Sequence, residues 1–132
     1  ELLLAAEFVL SEGNPNVILC ERGIRGFDPS TRNVLDVGAV AHLKRATHLP
    51  VIVDPSHAAG RSDLVRALAR AGVAAGADGV IVEVHPRPAE VHCDGHQAIG
   101  YDELERLSAD MRSLCAFDGR RFVTAVTPEP AT

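Results

Sequence analysis

The sequence of 132 residues has few aromatic side chains, with no tryptophan, one tyrosine and an aromatic content of 4%. This scarcity argues against a platform that stacks nucleic-acid bases and against an aromatic cage for a cation. The formal net charge of -5 also argues against a surface that binds polyanions without specificity. We therefore expect no nucleic-acid partner, although a local arginine cluster could still hold a small anionic substrate.

Cysteine is scarce as well, and long apolar runs are missing. Three cysteines without framework spacing suit a reducing compartment better than a secreted disulfide scaffold. No apolar run approaches the roughly 20 residues of a membrane helix, and no secretory signal opens the sequence. We accordingly expect a cytoplasmic protein without a membrane partner. Residues 1–10 read as the middle of a helix, without an initiator methionine or N-cap, and predict a chain that begins inside a fold.

Short apolar segments alternate with helical patterns along the chain, which is typical of an α/β fold. The predicted order is helix 1–10, strand 16–20, helix 36–47, strand 50–53, helix 62–75, strand 79–82 and helix 102–117. Strands that are apolar at every position indicate a parallel sheet covered by helices. We predict Ser62 as the N-cap of its helix. The sequence thus predicts one domain over 1–117 and a polar C-terminal tail over 118–132.

Charged or polar side chains follow each predicted strand where it ends. They are Glu21 and Arg22 after the first strand, Asp54 and His57 after the second, and Glu83 and His85 after the third. The carboxyl ends of parallel strands meet at one edge of a sheet, where α/β proteins bind ligands. We therefore expect these residues to contribute to one site.

One histidine and two carboxylates in this region form a candidate metal-binding set: His57, Glu83 and Asp94. One imidazole and two carboxylates suit Mn²⁺, Fe²⁺, Zn²⁺ or Co²⁺ in an open catalytic site. From spacing alone, hydrogen bonding of the histidine to backbone and helix capping by the carboxylates remain alternatives. Cys93 and Asp94 are neighbours that point to opposite faces in extended structure, and a hard divalent ion favours Asp94.

Four arginines form a candidate anion site: Arg22, Arg25, Arg32 and Arg61. A guanidinium beside a helix N-terminus suits a phosphate or carboxylate group. For Arg25 and Arg32, solvation or pairing with a nearby aspartate is an equally open interpretation. Arg22 directly follows a buried strand and is the strongest candidate of the four.

Four motifs carry a family resemblance: residues 18–25 (ILCERGIR), 31–33 (TRN), 49–57 (LPVIVDPSH) and 80–86 (VIVEVHP). From residue 1 to about Cys115, the sequence closely resembles the type I 3-deoxy-D-arabino-heptulosonate 7-phosphate (DAHP) synthases. This subgroup is related to the 3-deoxy-octulosonate 8-phosphate synthases. The DPSH form of residues 54–57 favours the heptulosonate enzymes over these relatives.

The resemblance implies a (β/α)₈ TIM barrel, of which this chain would form the C-terminal part with about three strand–helix units. It also implies a transferase of the shikimate pathway of aromatic amino acid biosynthesis, which condenses phosphoenolpyruvate with erythrose 4-phosphate. By the same resemblance, His57, Glu83 and Asp94 match metal ligands and Arg22 matches a phosphoenolpyruvate-binding arginine. Glu21 and Arg61 are expected beside them as substrate-binding residues: Glu21 precedes Arg22 and Arg61 follows the histidine motif. Asp54 is expected to act with His57 by orienting the aldehyde or its water.

Several groups of that family are missing from these residues: a cysteine metal ligand, the Lys-Pro-Arg-Thr-type segment that holds erythrose 4-phosphate, and a lysine that contacts phosphoenolpyruvate. We therefore expect little or no synthase activity from these residues alone, and a homo-oligomer for the complete enzyme. One alternative is a 3-deoxy-octulosonate 8-phosphate synthase. Another is a non-catalytic half-barrel that binds anions or pairs with a second chain.

Overall fold

Three short parallel strands form the centre of the structure, a computed structural model that describes residues 1–91 and 93–123. The strands are packed between helices. In chain order the elements are α1 Leu2–Ser11, β1 Leu19–Glu21, α2 Val37–Ala46, β2 Val51–Val53, α3 Pro55–Ala59, α4 Ser62–Ala74, β3 Gly79–Val80, a 3₁₀ turn Pro88–Glu90 and α5 Tyr101–Phe117. The predicted α/β class with a parallel sheet is confirmed.

The strands lie in the order β1-β2-β3, with Cys20 opposite Ile52 and Val53 opposite Val80. All three run in the same direction, so their carboxyl ends lie at one edge of the sheet. The backbone N–H of Asp54 donates to the carbonyl of Glu21 at 2.8 Å, which continues the pairing to that edge. Consequently the residues that follow β1, β2 and β3 start from neighbouring positions.

Helix α4 packs closely on β2 because a glycine faces the strand. A Cβ atom at Gly72 would lie 2.7 Å from a methyl carbon of Val53, so that only glycine fits without a shift. Apolar side chains fill the space on both sides of this contact. One cluster includes Val40, Leu43, Val51 and Val53, and the other includes Val65, Ala69, Val73, Ile99, Leu107 and Met111.

Two local features differ from the sequence prediction. The segment after β2, for which the sequence predicts no helix or strand, forms the short helix α3, with the Asp54 side chain as its N-cap and Pro55 in its first turn. The prediction of Ser62 as an N-cap is wrong, because Arg61 occupies that position with extended backbone and Ser62 lies inside α4. The backbone N–H of Ser62 instead donates to the carbonyl of His96 at 2.9 Å.

The residues after α5 contact the rest of the fold as far as they are described. The Arg120 guanidinium donates to the carbonyls of Val73 and Ala77, each at 2.7 Å. Phe122 packs on the second apolar cluster, with the Arg112 guanidinium 5.0 Å from its ring centre. Residues 124–132 of the predicted tail lie outside the described residues. Across the described part of the chain, no helix combines the length and apolarity needed to cross a membrane.

Candidate metal and anion site

His57 occupies the centre of the polar groups at the carboxyl edge of the sheet. Its Nδ1 atom lies 2.8 Å from Oδ2 of Asp54, and its Nε2 atom lies 2.9 Å from Oε1 of Glu83. Both contacts are hydrogen bonds only when the imidazole carries both protons, since each carboxylate oxygen is an acceptor. With the neutral ring, a cation between Nε2 and Glu83 would take the place of the second proton.

Asp54 fixes both the position and the orientation of His57. One carboxylate oxygen accepts the backbone N–H of His57 at 3.0 Å, and the other accepts Nδ1 at 2.8 Å. Asp54 is only 2% exposed, so this carboxylate has little access to water. A carboxylate on one ring nitrogen that leaves the other free is the common arrangement around a metal-binding histidine.

The two other candidate ligands follow β3. Glu83 is held by its backbone N–H, which donates to Oγ of Ser56 at 3.1 Å, and by Nε2 of Gln97, which donates to its Oε1 at 3.2 Å. Asp94 lies in a turn with a φ of 58°, a left-handed conformation that aspartate tolerates better than most residues. The turn is closed by the backbone N–H of Gln97, which donates to the Asp94 carbonyl at 3.0 Å.

These elements bring the predicted metal-binding set together. Ligand atoms of His57, Glu83 and Asp94 all lie within 4.8 Å of one another. Atoms bound to one ion at about 2.1 Å lie up to roughly 4 Å apart, so small side-chain rotations suffice. The set contains one nitrogen and two oxygen donors, which fits the divalent ions expected from the sequence. The geometry is therefore compatible with a metal centre.

Cys93 and His85 lie outside this group of three. Cys93 is exposed, and a hydrogen bond from its thiol to Oδ2 of Asp94 at 3.5 Å raises the pKa of that thiol. It therefore favours the protonated form, which binds metals poorly. His85 follows β3 as predicted, but its Nδ1 accepts the backbone N–H of Arg87 at 3.1 Å.

Glu21 and Arg22 at the end of β1 have different surroundings. Glu21 is buried, and its Oε1 accepts the backbone N–H groups of Gly23 at 2.7 Å and Asp36 at 3.3 Å. Its carboxylate therefore braces the loop that leads to α2. Arg22 is 61% exposed, with Nε 3.6 Å from Oδ2 of Asp54. A guanidinium with this exposure can contact a ligand from solvent while it stays close to the three candidate metal ligands.

The remaining arginines line a cavity between the loop after β1 and the start of α4. Its wall includes residues 25–32, 59–61 and His96. Arg61 forms two hydrogen bonds with Asp63, at 3.0 and 2.7 Å, which raise the pKa of Arg61 and lower that of Asp63. Among the described residues, no carboxylate lies within 4.0 Å of the guanidinium of Arg25 or Arg32.

The loop that carries these arginines is attached to the metal side of the site. The backbone N–H of Arg32 donates to the Ala59 carbonyl at 3.0 Å, and Nδ2 of Asn33 donates to the His57 carbonyl at 3.4 Å. Gly23 allows this contact, because a Cβ there would lie 2.8 Å from the Cβ of Asn33 and its φ is +91°. The arginine cavity and the three candidate ligands thus share α3 as a common wall.

Gln97 has the largest fully buried side chain among the described residues, and it is not one of the site residues predicted from the sequence. It contacts the candidate ligand Glu83 through its side chain and follows Asp94 in the same turn. The only sequence signal was its place between an acidic candidate ligand and the start of α5. Glutamine in a polar segment is ordinarily a surface residue, so this signal carries little weight without coordinates.

Comparisons with known proteins agree with the motifs. Residues 1–115 match the DAHP synthetase I family. The chain is 49% identical over 114 residues to phospho-2-dehydro-3-deoxyheptonate aldolase of Thermotoga maritima, covering 86% of this chain and 34% of that protein. The crystal structure of DAHP synthase from the same organism superposes with a TM-score of 0.88 at 47% identity, covering 90% of this chain and 35% of the other.

A second group of relatives is less similar. A 2-dehydro-3-deoxyphosphooctonate aldolase of Vibrio campbellii is 39% identical over 112 residues, covering 77% of this chain and 40% of that protein. In each of these comparisons the chain spans between 34% and 40% of the length of the relative.

Proposed function

Because this chain belongs to the DAHP synthetase I family, we propose that it supplies the metal-binding part of a DAHP synthase. The reaction joins phosphoenolpyruvate to erythrose 4-phosphate, consumes one molecule of water, and gives the seven-carbon keto acid phosphate and inorganic phosphate. The observation that carries the proposal is the convergence of His57, Glu83 and Asp94 within 4.8 Å, with Asp54 orienting the imidazole. An arginine beside this group supports the binding of an anionic substrate.

His57, Glu83 and Asp94 would hold the ion, which is Mn²⁺, Fe²⁺, Zn²⁺ or Co²⁺ by donor type. A divalent ion at this place polarises the aldehyde oxygen of the sugar phosphate. The contribution of Asp54 is to hold the proton of Nδ1, so that Nε2 presents its lone pair to the site. Its low exposure also keeps this contact free of competition from water.

Arg22 is proposed to bind phosphoenolpyruvate. Its guanidinium lies at the same edge as His57, and its one contact with a carboxylate among the described residues is the 3.6 Å contact with Asp54. That leaves most of its donors free for a phosphate or carboxylate, which arginine binds with two parallel hydrogen bonds. Glu21 supports this role indirectly, because it fixes the backbone directly after Arg22 through Gly23.

Arg61 is proposed as a further substrate-binding residue, in the cavity that also contains Arg25 and Arg32. Two of the three guanidinium groups have no carboxylate partner among the described residues. Three positive charges around one cavity favour a phosphate group there. Arg61 would have to exchange Asp63 for the ligand, and the pair is exposed enough for that exchange.

We further propose that the three-stranded sheet is part of a (β/α)₈ TIM barrel in the complete enzyme, which is expected to be a cytoplasmic homo-oligomer. Within the described residues, β1 and β3 each pair with β2 alone. A barrel requires each of these strands to have a second neighbour. The open edges therefore favour pairing with further strands.

Residues 1–115 can be tested inside a complete barrel, by placing them in the Thermotoga maritima enzyme in exchange for the matching segment. With Mn²⁺, phosphoenolpyruvate and erythrose 4-phosphate, this chimera should release inorganic phosphate. The variant His57→Ala should abolish turnover, whereas His42→Ala, at an exposed position on α2, should retain it. The chain of 132 residues alone should show little or no turnover.

The same assay distinguishes the alternatives. A folded chimera that prefers arabinose 5-phosphate, although the rest of its barrel comes from a heptonate enzyme, would identify an octulosonate 8-phosphate synthase. The higher identity to the heptonate enzyme favours erythrose 4-phosphate. A folded chimera that is inactive with both sugars would contradict the proposal and favour a non-catalytic chain. Circular dichroism and thermal melting establish that each chimera is folded.

A further inference from the structure

Gln97 is an unusual core residue, because its side chain is completely buried and only one of the two polar groups of its amide has a hydrogen-bond partner among the described residues. Its exposure is 0%, and no donor contacts its Oε1 atom among the described residues. Its Nε2 atom donates to Oε1 of Glu83 at 3.2 Å. A buried amide oxygen without a partner lowers stability relative to an apolar side chain of similar size.

The retained amide has one visible use, which is its contact with Glu83. The opposite assignment of the amide would place two oxygens 3.2 Å apart, so the acceptor fixes which atom is the nitrogen. The backbone N–H of the same residue donates to the carbonyl of Asp94 at 3.0 Å. Gln97 therefore contacts both carboxylate residues of the candidate metal site, one through its side chain and one through its backbone.

When Nε2 of His57 no longer donates to Glu83, the orientation of the Glu83 carboxylate depends more strongly on its hydrogen bond from Gln97. In the structure, Oε1 of Glu83 has two neighbours, Nε2 of His57 at 2.9 Å and Nε2 of Gln97 at 3.2 Å. A histidine nitrogen that binds a metal uses its lone pair and cannot also donate a proton. Gln97 is then the remaining donor to that carboxylate among the described residues.

We infer that Gln97 is a positioning residue that holds the Glu83 carboxylate in the orientation needed to bind an ion together with His57 and Asp94. This inference rests on the proposed metal site and adds a residue to it. Removal of a side chain that hydrogen-bonds a metal ligand typically lowers metal affinity by about 10- to 100-fold. The same change should leave folding stability unaltered or improved, because the unsatisfied amide oxygen disappears with it.

Replacement of Gln97 by methionine tests the inference, because methionine has a similar length and lacks both amide atoms. Mn²⁺ binding to the whole chain is measured by the electron paramagnetic resonance signal of the free ion, and stability by thermal melting without metal. We expect Gln97→Met to weaken Mn²⁺ binding about 10- to 100-fold with an unchanged or higher melting temperature. The visible absorption of bound Co²⁺ should change as well, since the orientation of Glu83 alters the ligand field.

Two further variants serve as controls. Gln97→Leu also lacks both amide atoms, and it should weaken Mn²⁺ binding about as much as Gln97→Met. Glu90→Gln removes an exposed carboxylate that pairs with Arg87 in the same region, and it should leave Mn²⁺ binding unchanged.

The outcomes separate this inference from the proposed function. If neither the unaltered chain nor its chimera with the Thermotoga maritima enzyme binds Mn²⁺, the metal site itself is contradicted and the inference falls with it. If the unaltered chain binds Mn²⁺ and both Gln97 variants bind it equally well, only the positioning role is overturned. A loss of binding that merely follows a lower melting temperature would also overturn it, since Gln97 would then act through the fold.

Discussion

Two groups of charged side chains in this molecule differ in burial and in what they accomplish. The edge group lies at the carboxyl edge of the sheet and comprises Asp54, His57, Glu83, Asp94 and Gln97. In it, Asp54 is 2% exposed, and both of its oxygens accept hydrogen bonds from His57. Between α4 and α5, Asp110 also accepts two hydrogen bonds, from the Arg66 guanidinium at 2.7 and 3.0 Å, but the two side chains are 22% and 34% exposed. Solvent screens the second group far more than the first.

The two groups also differ in what happens to each carboxylate when its partner is lost. Loss of the Arg66–Asp110 contact would leave two side chains that water can solvate. Loss of the His57 imidazole would leave the buried Asp54 carboxylate with one backbone hydrogen bond and the 3.6 Å contact of Arg22. The edge group includes Gln97, whose buried Oε1 has no hydrogen-bond partner among the described residues, and a buried oxygen in that state lowers stability. Polar groups that are buried at a cost and aimed at one place indicate a binding site. A half-buried ion pair between helices, such as Arg66–Asp110, indicates only helix packing.

The largest effect is expected from His57→Ala, which removes the nitrogen donor of the edge group. Mn²⁺ affinity of the chain should fall by more than about 100-fold, because only the carboxylates of Glu83 and Asp94 remain from the candidate set of three ligands. Stability should fall too, because the buried Asp54 carboxylate loses its 2.8 Å contact with the imidazole. Titration with Mn²⁺ and urea unfolding measure the two effects.

His42→Ala provides the matched control for this variant, since His42 is exposed on α2. It should change neither Mn²⁺ affinity nor the urea midpoint measurably. Near-normal Mn²⁺ binding by His57→Ala would mean that the edge group is a structural cluster like the one between α4 and α5.

A smaller effect is expected from Asp54→Asn, which keeps the helix cap and reverses one hydrogen bond. The amide oxygen can still accept the backbone N–H of His57, but the amide nitrogen would donate to Nδ1 and move the ring proton to Nε2. Metal affinity should therefore fall by about 10- to 100-fold with little change in stability. The two measurements are again Mn²⁺ titration and urea unfolding.

Asp36→Asn is the matched control, because Asp36 caps α2 by accepting the backbone N–H of Ala39 at 2.8 Å and has no histidine partner among the described residues. Asparagine and aspartate are about equally good N-caps, so the control should leave both quantities unchanged. Equal Mn²⁺ affinities for the two variants would disprove the role of Asp54 in fixing the ring proton.

Part of the fold and part of the candidate site could be predicted from the sequence. Strands that are apolar at every position identified the parallel sheet, and their common direction brought His57, Glu83 and Asp94 to one place. The first strand was predicted over 16–20, but only Leu19–Glu21 pair with β2. Hydrophobicity locates a buried segment, whereas its pairing depends on where the neighbouring strand begins and ends.

The remaining errors arise where local pattern and tertiary contact disagree. Helix α3 has five residues, less than two turns, so no periodicity can identify it. Ser62 has the side chain of a good N-cap, but its backbone N–H already bonds the His96 carbonyl from a distant part of the chain. Gln97 could not be found for the same reason, because its burial depends on contacts with Glu83 that the sequence does not state.

The smallest effect is expected from Asp110→Asn, in the half-buried ion pair between α4 and α5. The hydrogen bonds from Arg66 hold the pKa of Asp110 below its usual value; partial burial opposes this shift, and the charges of Arg66 and Arg70 add to it. A carboxyl whose pKa is lowered by folding stabilises the fold above its unfolded pKa, near 3.9, and loses that contribution as the pH falls through the folded value. At neutral pH, Asp110→Asn should thus lower the free energy of unfolding by less than about 1 kcal/mol.

This small difference should disappear in acid, and that disappearance sharpens the contrast with the edge group. Urea unfolding at pH 7 should separate Asp110→Asn from the unaltered chain, and the two curves should converge as the pH falls below the folded pKa of Asp110. Glu105→Gln, which changes an exposed carboxylate of α5, should match the unaltered chain at both pH values. Mn²⁺ affinity should be the same in all three proteins, because the ion pair between α4 and α5 contributes to packing alone. A change in Mn²⁺ affinity on loss of Asp110 would show that the two groups are coupled through α4.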